Sequence, residues 1–225
     1  MKNRAAGRFK TGGAMADFAA RLFKKALFEK SGKFIVALSG GRTPARLLKK
    51  LSALPLPWCR VVFFMADERL VPLSSPESNF GAARALLFSK IKIPRRNLHP
   101  VPPGAGAAAR YGRELLEETG GSGRLDFILL GLGEDGHTAS LFPGSPALKE
   151  NKKPVCAVLA PRGIKTRRRV TLSLKTINKA SAVVLLASGP SKKKILKQAL
   201  LGDKDIPAGL LNPRGELRFL FSEKK

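Results

Sequence analysis

Six short apolar runs, at residues 34–38, 61–65, 127–130, 155–159, 170–174 and 182–187, constrain this chain more than any other feature. They are rich in Val, Ile, Leu and Phe and scarcely alternate with polar residues. Strands read this way when a parallel sheet is covered on both faces. Between them lie stretches of helical character at 14–28, 44–51, 79–88, 107–118 and 191–201. The first carries Phe18, Leu22, Phe23, Ala26 and Leu27 at helical spacing. Strands that alternate with helices predict an α/β fold, a Rossmann-like and mostly parallel sheet flanked by helices. Residues 100–106 and 120–123 break as loops, and neither a repeat nor a long linker divides the chain. A single domain over residues 1–225 is therefore expected. No clear strand precedes the first helix, so residues 1–13 are expected to be poorly ordered.

Composition narrows the function classes. Lys and Arg number 42 against 16 acids, a formal charge of +26, which brings nucleic acid into question. The cations fall in small clusters along the whole chain, such as Arg95-Arg96, Arg167 to Arg169 and Lys192 to Lys194, and do not form one arm. One Trp and one Tyr offer little stacking surface, although Phe numbers 13. A solvated basic surface without a specific nucleic-acid partner is the expectation. No apolar run is long enough to span a bilayer, and no apolar signal core follows the basic start. The chain is therefore expected in the cytoplasm, as a monomer or small homo-oligomer. Cys59 and Cys156 lie far apart without CxxC spacing. Both read as small buried apolar groups, with no disulfide framework and no metal site.

In open parallel sheets, ligands bind beyond the carboxyl ends of the strands. Three loops there are chemically loaded. The first is Ser39-Gly40-Gly41-Arg42-Thr43-Pro44, where glycines admit a ligand to the backbone and a helix start favours an anion. Pro44 suits the first helical position, with Thr43 as its cap. Ala37-Leu38-Ser39-Gly40-Gly41 also nearly matches the nucleophile elbow of serine hydrolases, which would make Ser39 a nucleophile. The second loop is Ala66-Asp67-Glu68-Arg69. Arg69 suits a phosphate or carboxylate clamp and Asp67 suits orienting a polar neighbour, unless the group is only a surface salt bridge. Ser78-Asn79 reads as a helix cap near the same edge. The third loop, Gly131-Leu132-Gly133-Glu134-Asp135-Gly136-His137-Thr138-Ala139-Ser140, contains a literal G-x-G-x-x-G. The dinucleotide reading fails on context. Pro143 cuts short any following helix, and about 20 residues on there is an apolar run instead of a ribose-binding acid. What remains is a loop that presents Asp135 and His137 at a strand end, and imidazole is the side chain best matched to proton transfer near neutral pH. His99, beside Pro100, has no such setting.

At these residues the sequence resembles the 6-phosphogluconolactonase family. The family's S-G-G-x-T-P loop falls on Ser39 to Pro44. Its D-E-R segment, followed by V-P and S-N, falls on Asp67 to Arg69, Val71-Pro72 and Ser78-Asn79. Its G-x-G-x-D-G-H-T-A-S-L-F-P block falls on Gly131 to Pro143. The order holds through Arg169 to Leu172, Gly189 to Lys192 and Ile206 to Ala208. The resemblance implies a fold shared with glucosamine-6-phosphate isomerases and deaminases, and hydrolysis of 6-phospho-D-glucono-1,5-lactone in the oxidative pentose phosphate pathway without a cofactor. It implies His137 as the base with Asp135 beside it. It implies phosphate or substrate binding by Ser39, Gly40, Gly41, Thr43, Asp67, Arg69 and Lys192, with Arg169 in the same role. Lys192 sits in a run with Lys193 and Lys194, so the lysine that meets phosphate stays open. Backbone N–H groups of the third loop, at Gly133 and Gly136, are candidate oxyanion donors. An isomerase of the same fold would use a carboxylate such as Asp67, but the Thr-Ala-Ser-Leu-Phe-Pro after His137 follows the lactonase pattern.

Overall fold

The computed structural model describes residues 4–224. In chain order it holds β1 (Arg4–Thr11), α1 (Gly12–Glu29), β2 (Phe34–Leu38), α2 (Arg42–Ser52), β3 (Val61–Met65) and β4 (Asp67–Arg69). There follow α3 (Asn79–Leu86), α4 (Ala107–Glu118), β5 (Phe127–Gly131), β6 (Val155–Leu159) and β7 (Arg168–Leu172). The chain ends with α5 (Leu174–Lys179), β8 (Ala182–Ser188), α6 (Lys193–Leu201) and β9 (Glu216–Lys224).

Six strands form one sheet in the order β1-β9-β8-β5-β2-β3, and every neighbouring pair is parallel. Period-two alternation divides the core between its faces. In β2, Ile35 and Ala37 pack with Tyr111 and Leu115 of α4. Phe34, Val36 and Leu38 pack with Phe23 of α1 and Leu47 of α2 on the other side. Phe23 meets Phe34 and Phe127 edge-on, with ring centroids 5.5 and 5.4 Å away. The chain leaves β2 for β3 on one side and later returns to add β5 on the other. The strand order therefore reverses between β2 and β5, where a doubly wound sheet opens its ligand crevice.

Three expectations need correction. Residues 155–159 and 170–174 read as parallel-sheet strands. They instead form a separate antiparallel sheet in the order β4-β7-β6, with Leu174 already in α5. The connection across 160–167 is too short for a parallel crossover, which takes roughly a dozen residues or more. β6 is an edge strand that leaves Ala157 and Leu159 exposed, so its apolar run overstated its burial. The first residues are also more regular than expected. Arg4–Thr11 pairs in parallel with β9, and the Thr11 hydroxyl caps α1 by accepting from the Ala14 N–H. Edge pairing supplies the order that a short, Ala- and Gly-containing segment lacks on its own. The part of that expectation concerning residues 1–3 lies outside the described residues. Of the cysteines, Cys156 is buried but Cys59 is exposed. Burial, with Glu150 nearby, pushes the Cys156 thiol up to about 11. No helix among the described residues is long and apolar enough to cross a membrane.

Candidate active site

A cleft of about 290 Å³ opens at the carboxyl ends of β2 and β5, and all three loaded loops line it. The first loop contributes Ser39, Gly40, Gly41, Arg42, Thr43 and Pro44. Gly41, with φ 104°, is the N-cap of α2, which makes Arg42 its first residue. Thr43 is therefore not the cap and Pro44 sits two positions further in than expected. The hydroxyl of buried Ser39 has no hydrogen-bond partner.

The second loop is the hub. Asp67 is buried, and its carboxylate accepts from Ser140 Oγ at 2.6 Å and Asn79 Nδ2 at 3.3 Å. The same Asn79 amide donates to the Asp67 carbonyl at 2.8 Å. A Cβ on Gly40 would lie 2.0 Å from Asn79 Oδ1, so only glycine lets the first loop close on the second. Glu68 points away and caps α3. It accepts from the N–H groups of Asn79 and Phe80 and from the Ser78 hydroxyl. Burial raises its carboxyl above the ordinary value even though these bonds pull it down. Ser78 is the helix cap the sequence indicated, accepting from the Gly81 N–H.

Arg69 and Arg169 stand directly opposite each other across β4 and β7, and both line the cleft. Like charges at opposed positions repel. Burial, and then the Arg69 charge, holds the Arg169 guanidinium below its ordinary value. Arg69 donates to the Glu77 carbonyl, while its buried Nε has no partner. Arg169 donates to the Thr166 carbonyl and, at 3.4 Å, to Ser140 Oγ. Two converging guanidiniums with spare donors at the mouth of a cleft suit a dianion.

In the third loop, His137 Nδ1 lies 2.5 Å from Asp135 Oδ1, which also accepts the His137 backbone N–H at 3.1 Å. Partial burial pushes the Asp135 carboxyl up, but the His137 N–H, charge and ring contact outweigh it and hold the group below its ordinary value. An ionised carboxylate can only accept, so the neutral imidazole places its proton on Nδ1 and its lone pair on Nε2. A Cβ on Gly133 would lie 2.1 Å from Nδ1, which makes Gly133 the floor under the imidazole. Ala139 is the one non-glycine among the described residues with positive φ, at 49°, and it lines the cleft two positions after His137. The oxyanion expectation fails here. The Gly133 N–H donates to the His137 carbonyl at 2.8 Å and the Gly136 N–H to the Gly133 carbonyl at 3.3 Å, because the turn closes on itself. Gly136 does not line the cleft. The loop is braced from behind by Ile206 against Gly136 and by the Ala208 N–H on the Gly136 carbonyl.

The imidazole seated on Gly133, the Ser-Gly-Gly loop and the opposed arginines thus meet at one switch point of the sheet. Residues 10–219 match the model of the family described as glucosamine-6-phosphate isomerases/6-phosphogluconolactonase. The chain belongs to this family. It is 38% identical over 212 residues to a 6-phosphogluconolactonase of Synechocystis, covering 89% of this chain and 86% of that one. The human 6-phosphogluconolactonase is 33% identical, with 94% of this chain and 87% of the relative covered. The crystal structure of 6-phosphogluconolactonase from Thermotoga maritima superposes with a TM-score of 0.87 at 31% identity, covering 98% of this chain and all of the other.

Within this family member, the cleft gathers Ser39, Gly40, Gly41, Thr43, Asp67, Arg69, Gly133, His137, Arg169 and Lys192, with Asp135 behind the ring. Of the three consecutive lysines, Lys192 alone lines it, and Lys193 and Lys194 are exposed. Lys192 Nζ is 3.9 Å from Glu134, which also accepts from Ser191 Oγ. Asn79 and Ser140 went unassigned in the sequence. A Ser-Asn pair just before a helix signalled Asn79 only as cap chemistry, and nothing local marked Ser140 as the residue that ties β5's loop to Asp67. Arg42 also lines the cleft, and its place inside the Ser39–Pro44 loop was the available signal.

Proposed function

We propose that this chain hydrolyses 6-phospho-D-glucono-1,5-lactone to 6-phosphogluconate, with His137 activating water. The observation that carries the reading is the position of His137, its Nδ1 against Asp135, at the edge of the switch-point cleft that also holds the Arg69–Arg169 pair. Those two features supply a base and a dianion site, which are the two things a phosphorylated lactone requires. The family membership, and relatives named for this activity, support the same substrate.

The chemistry runs as follows. The phosphate binds Arg69 and Arg169, with Lys192 and the Ser39–Thr43 loop completing its surroundings. Binding energy at this remote group fixes the ring and turns C1 toward the imidazole. His137 Nε2 takes a proton from water as the water oxygen bonds to C1. Asp135 keeps the ring in the correct tautomer and stabilises the imidazolium. The tetrahedral intermediate then expels the ring oxygen, which takes the proton from Nε2 as the C1–O bond breaks. Asp67 holds the second and third loops together and does not touch the phosphate, since its carboxylate is engaged by Asn79 and Ser140. No cofactor enters any step, and a soluble sugar-phosphate substrate fits a cytoplasmic location. The nucleophile-elbow alternative loses ground because the Ser39 hydroxyl has no base on it. The test is the decay of freshly generated lactone, followed by proton release with the spontaneous rate subtracted. A rate equal to the spontaneous one would overturn the reading.

A further inference from the structure

A second cavity, about 730 Å³, lies outside the catalytic cleft. It is a groove between α4 and the small antiparallel sheet. Its walls are Gly, Ala, Val, Leu and Pro, among them Ala108, Leu116, Val158 and Leu159. Leu159 is 61% exposed, one of three large apolar side chains left so open among the described residues. The polar side chains lining the groove are Arg113, Lys153, Arg168 and Arg169, with no carboxylate among them. Arg113, Lys153 and Arg168 take part in no ion pair among the described residues.

An apolar floor with an all-cationic rim specifies its occupant by chemistry. Water gains little from the floor, and inorganic anions gain nothing from it. A neutral apolar molecule would leave the rim charges of Arg113 and Arg168 unanswered. A second copy of this chain would bring another formal charge of +26 to the same rim. The volume falls in the range of small-molecule sites, roughly 300–1,000 Å³.

The geometry points to a binding site for an anionic amphiphile, a molecule with an apolar chain ending in a carboxylate or phosphate monoester. The chain lies along Ala108, Leu116, Val158 and Leu159, and the head meets Arg113, Lys153 and Arg168. Arg169 borders both this groove and the catalytic cleft. An anionic head in the groove competes for that guanidinium, so occupancy weakens phosphate binding in the cleft. This coupling rests on the proposed lactonase activity, whereas the binding itself does not.

The probe is dodecanoate, below its micellar range, titrated calorimetrically into the full chain. One equivalent should bind, whereas acetate and dodecyl maltoside at the same concentration should not. Dodecyl phosphate in place of dodecanoate tells which head group the rim prefers. Ala157→Trp places an indole in the groove from an exposed position of β6, and Arg113→Glu reverses one rim charge on an exposed face of α4. Each should weaken dodecanoate at least tenfold, and the Arg113→Glu protein, altered only at its surface, guards against misfolding as the cause. In the lactone assay, saturating dodecanoate should raise KM severalfold with kcat unchanged. Affinity unmoved by both substitutions, equal binding of dodecyl maltoside, or many equivalents adsorbed would overturn the site. So would a dimer that buries the groove in sedimentation. If dodecanoate binds as described but the chain hydrolyses no lactone, the proposed activity falls and the groove stands. If hydrolysis proceeds normally and dodecanoate does not bind, the groove alone falls.

Discussion

The chain has two histidines, and each has Nδ1 turned toward a carboxylate, at 2.5 Å from Asp135 for His137 and 3.3 Å from Glu114 for His99. Beyond that they diverge. His137 stands on a glycine loop at the carboxyl end of β5, with its side chain 31% exposed to a cleft lined by cations. His99 is stacked flat on Phe64, with centroids 4.3 Å apart and planes at 3°, and its side chain is 14% exposed. Its Nε2 is buried, 3.8 Å from Glu118. A carboxylate partner orients the ring in both places. Access to a reacting molecule exists only in one. Pairing with an acid is therefore a poor marker of a catalytic histidine, and position at the sheet's switch point is a better one.

The largest expected effect tests that contrast directly. His137→Ala should lower kcat by about 10²–10⁴-fold, the usual worth of a general base, with spontaneous lactone hydrolysis as the floor. His99→Ala should leave kcat nearly untouched and lower Tm by several degrees, because it unstacks Phe64 and leaves a void against α4. Comparable catalytic losses at the two positions would break the comparison.

Next in size is the phosphate end of the cleft. Arg69→Ala should reduce kcat/KM for the phosphorylated lactone by about one to two factors of ten, since a charge-assisted hydrogen bond contributes roughly 1.5–3 kcal/mol. Unphosphorylated gluconolactone should barely register the change. Removing Arg69 also relieves its repulsion of Arg169, so the loss should sit in KM more than in protein stability. Equal losses on both substrates would assign Arg69 to the fold or to the chemical step.

How much of this was readable beforehand differs from element to element for physical reasons. β2, β3, β5 and β8 were legible because both faces of each are covered, which writes the strand as an unbroken apolar run. β4 was not, because Asp67-Glu68-Arg69 has no strand propensity and becomes a strand only by pairing with β7. β1 escaped because it is an edge strand ordered by pairing with β9, and β9 because Glu216, Arg218 and Glu223 interrupt its apolar residues although it pairs on both sides, with β1 and β8. The site was legible loop by loop, since glycine, acid and imidazole chemistry is local. The joints between loops were not. Ser140 on Asp67 and Gly40 under Asn79 depend on residues brought together by the fold, and the opposition of Arg69 and Arg169 depends on strand register. The Gly133 and Gly136 donors misled for the complementary reason. A glycine turn offers N–H groups in sequence, but whether they face a ligand or each other is settled by how the turn closes.

A smaller effect is expected at Ser39. Its hydroxyl lines the cleft without a partner, so Ser39→Ala should raise KM a few-fold and leave kcat within the same range. A fluorophosphonate probe should leave the wild-type protein unlabelled. A loss as deep as that of His137→Ala, or an acyl adduct on Ser39 by mass spectrometry during turnover, would replace direct attack by water with a covalent route, because members of one catalytic unit fail together.

The smallest effect concerns the neighbouring carboxylates Asp67 and Glu68, one joining loops in the cleft and the other capping α3 behind it. Glu68 is surrounded by donors: the N–H groups of Arg69, Asn79 and Phe80 and the Ser78 hydroxyl. Burial nevertheless dominates and raises its carboxyl above 4.5. The folded chain therefore holds a proton at pH values where the unfolded chain has lost it. Stability from this site is greatest below about 4.5 and declines as pH rises through the window up to the raised folded value. Glu68→Gln removes that slope but turns an amide NH₂ toward the same donors, a fixed cost of about 1–3 kcal/mol. The substitution should thus be destabilising, and its cost relative to wild type should shrink as pH rises above 4.5. Urea midpoints for both proteins at several pH values between 4 and 7 would measure this gap. A gap that instead widens with pH would mean that the four hydrogen bonds outweigh burial, and that Glu68 is held ionised as firmly as a conventional helix-capping acid.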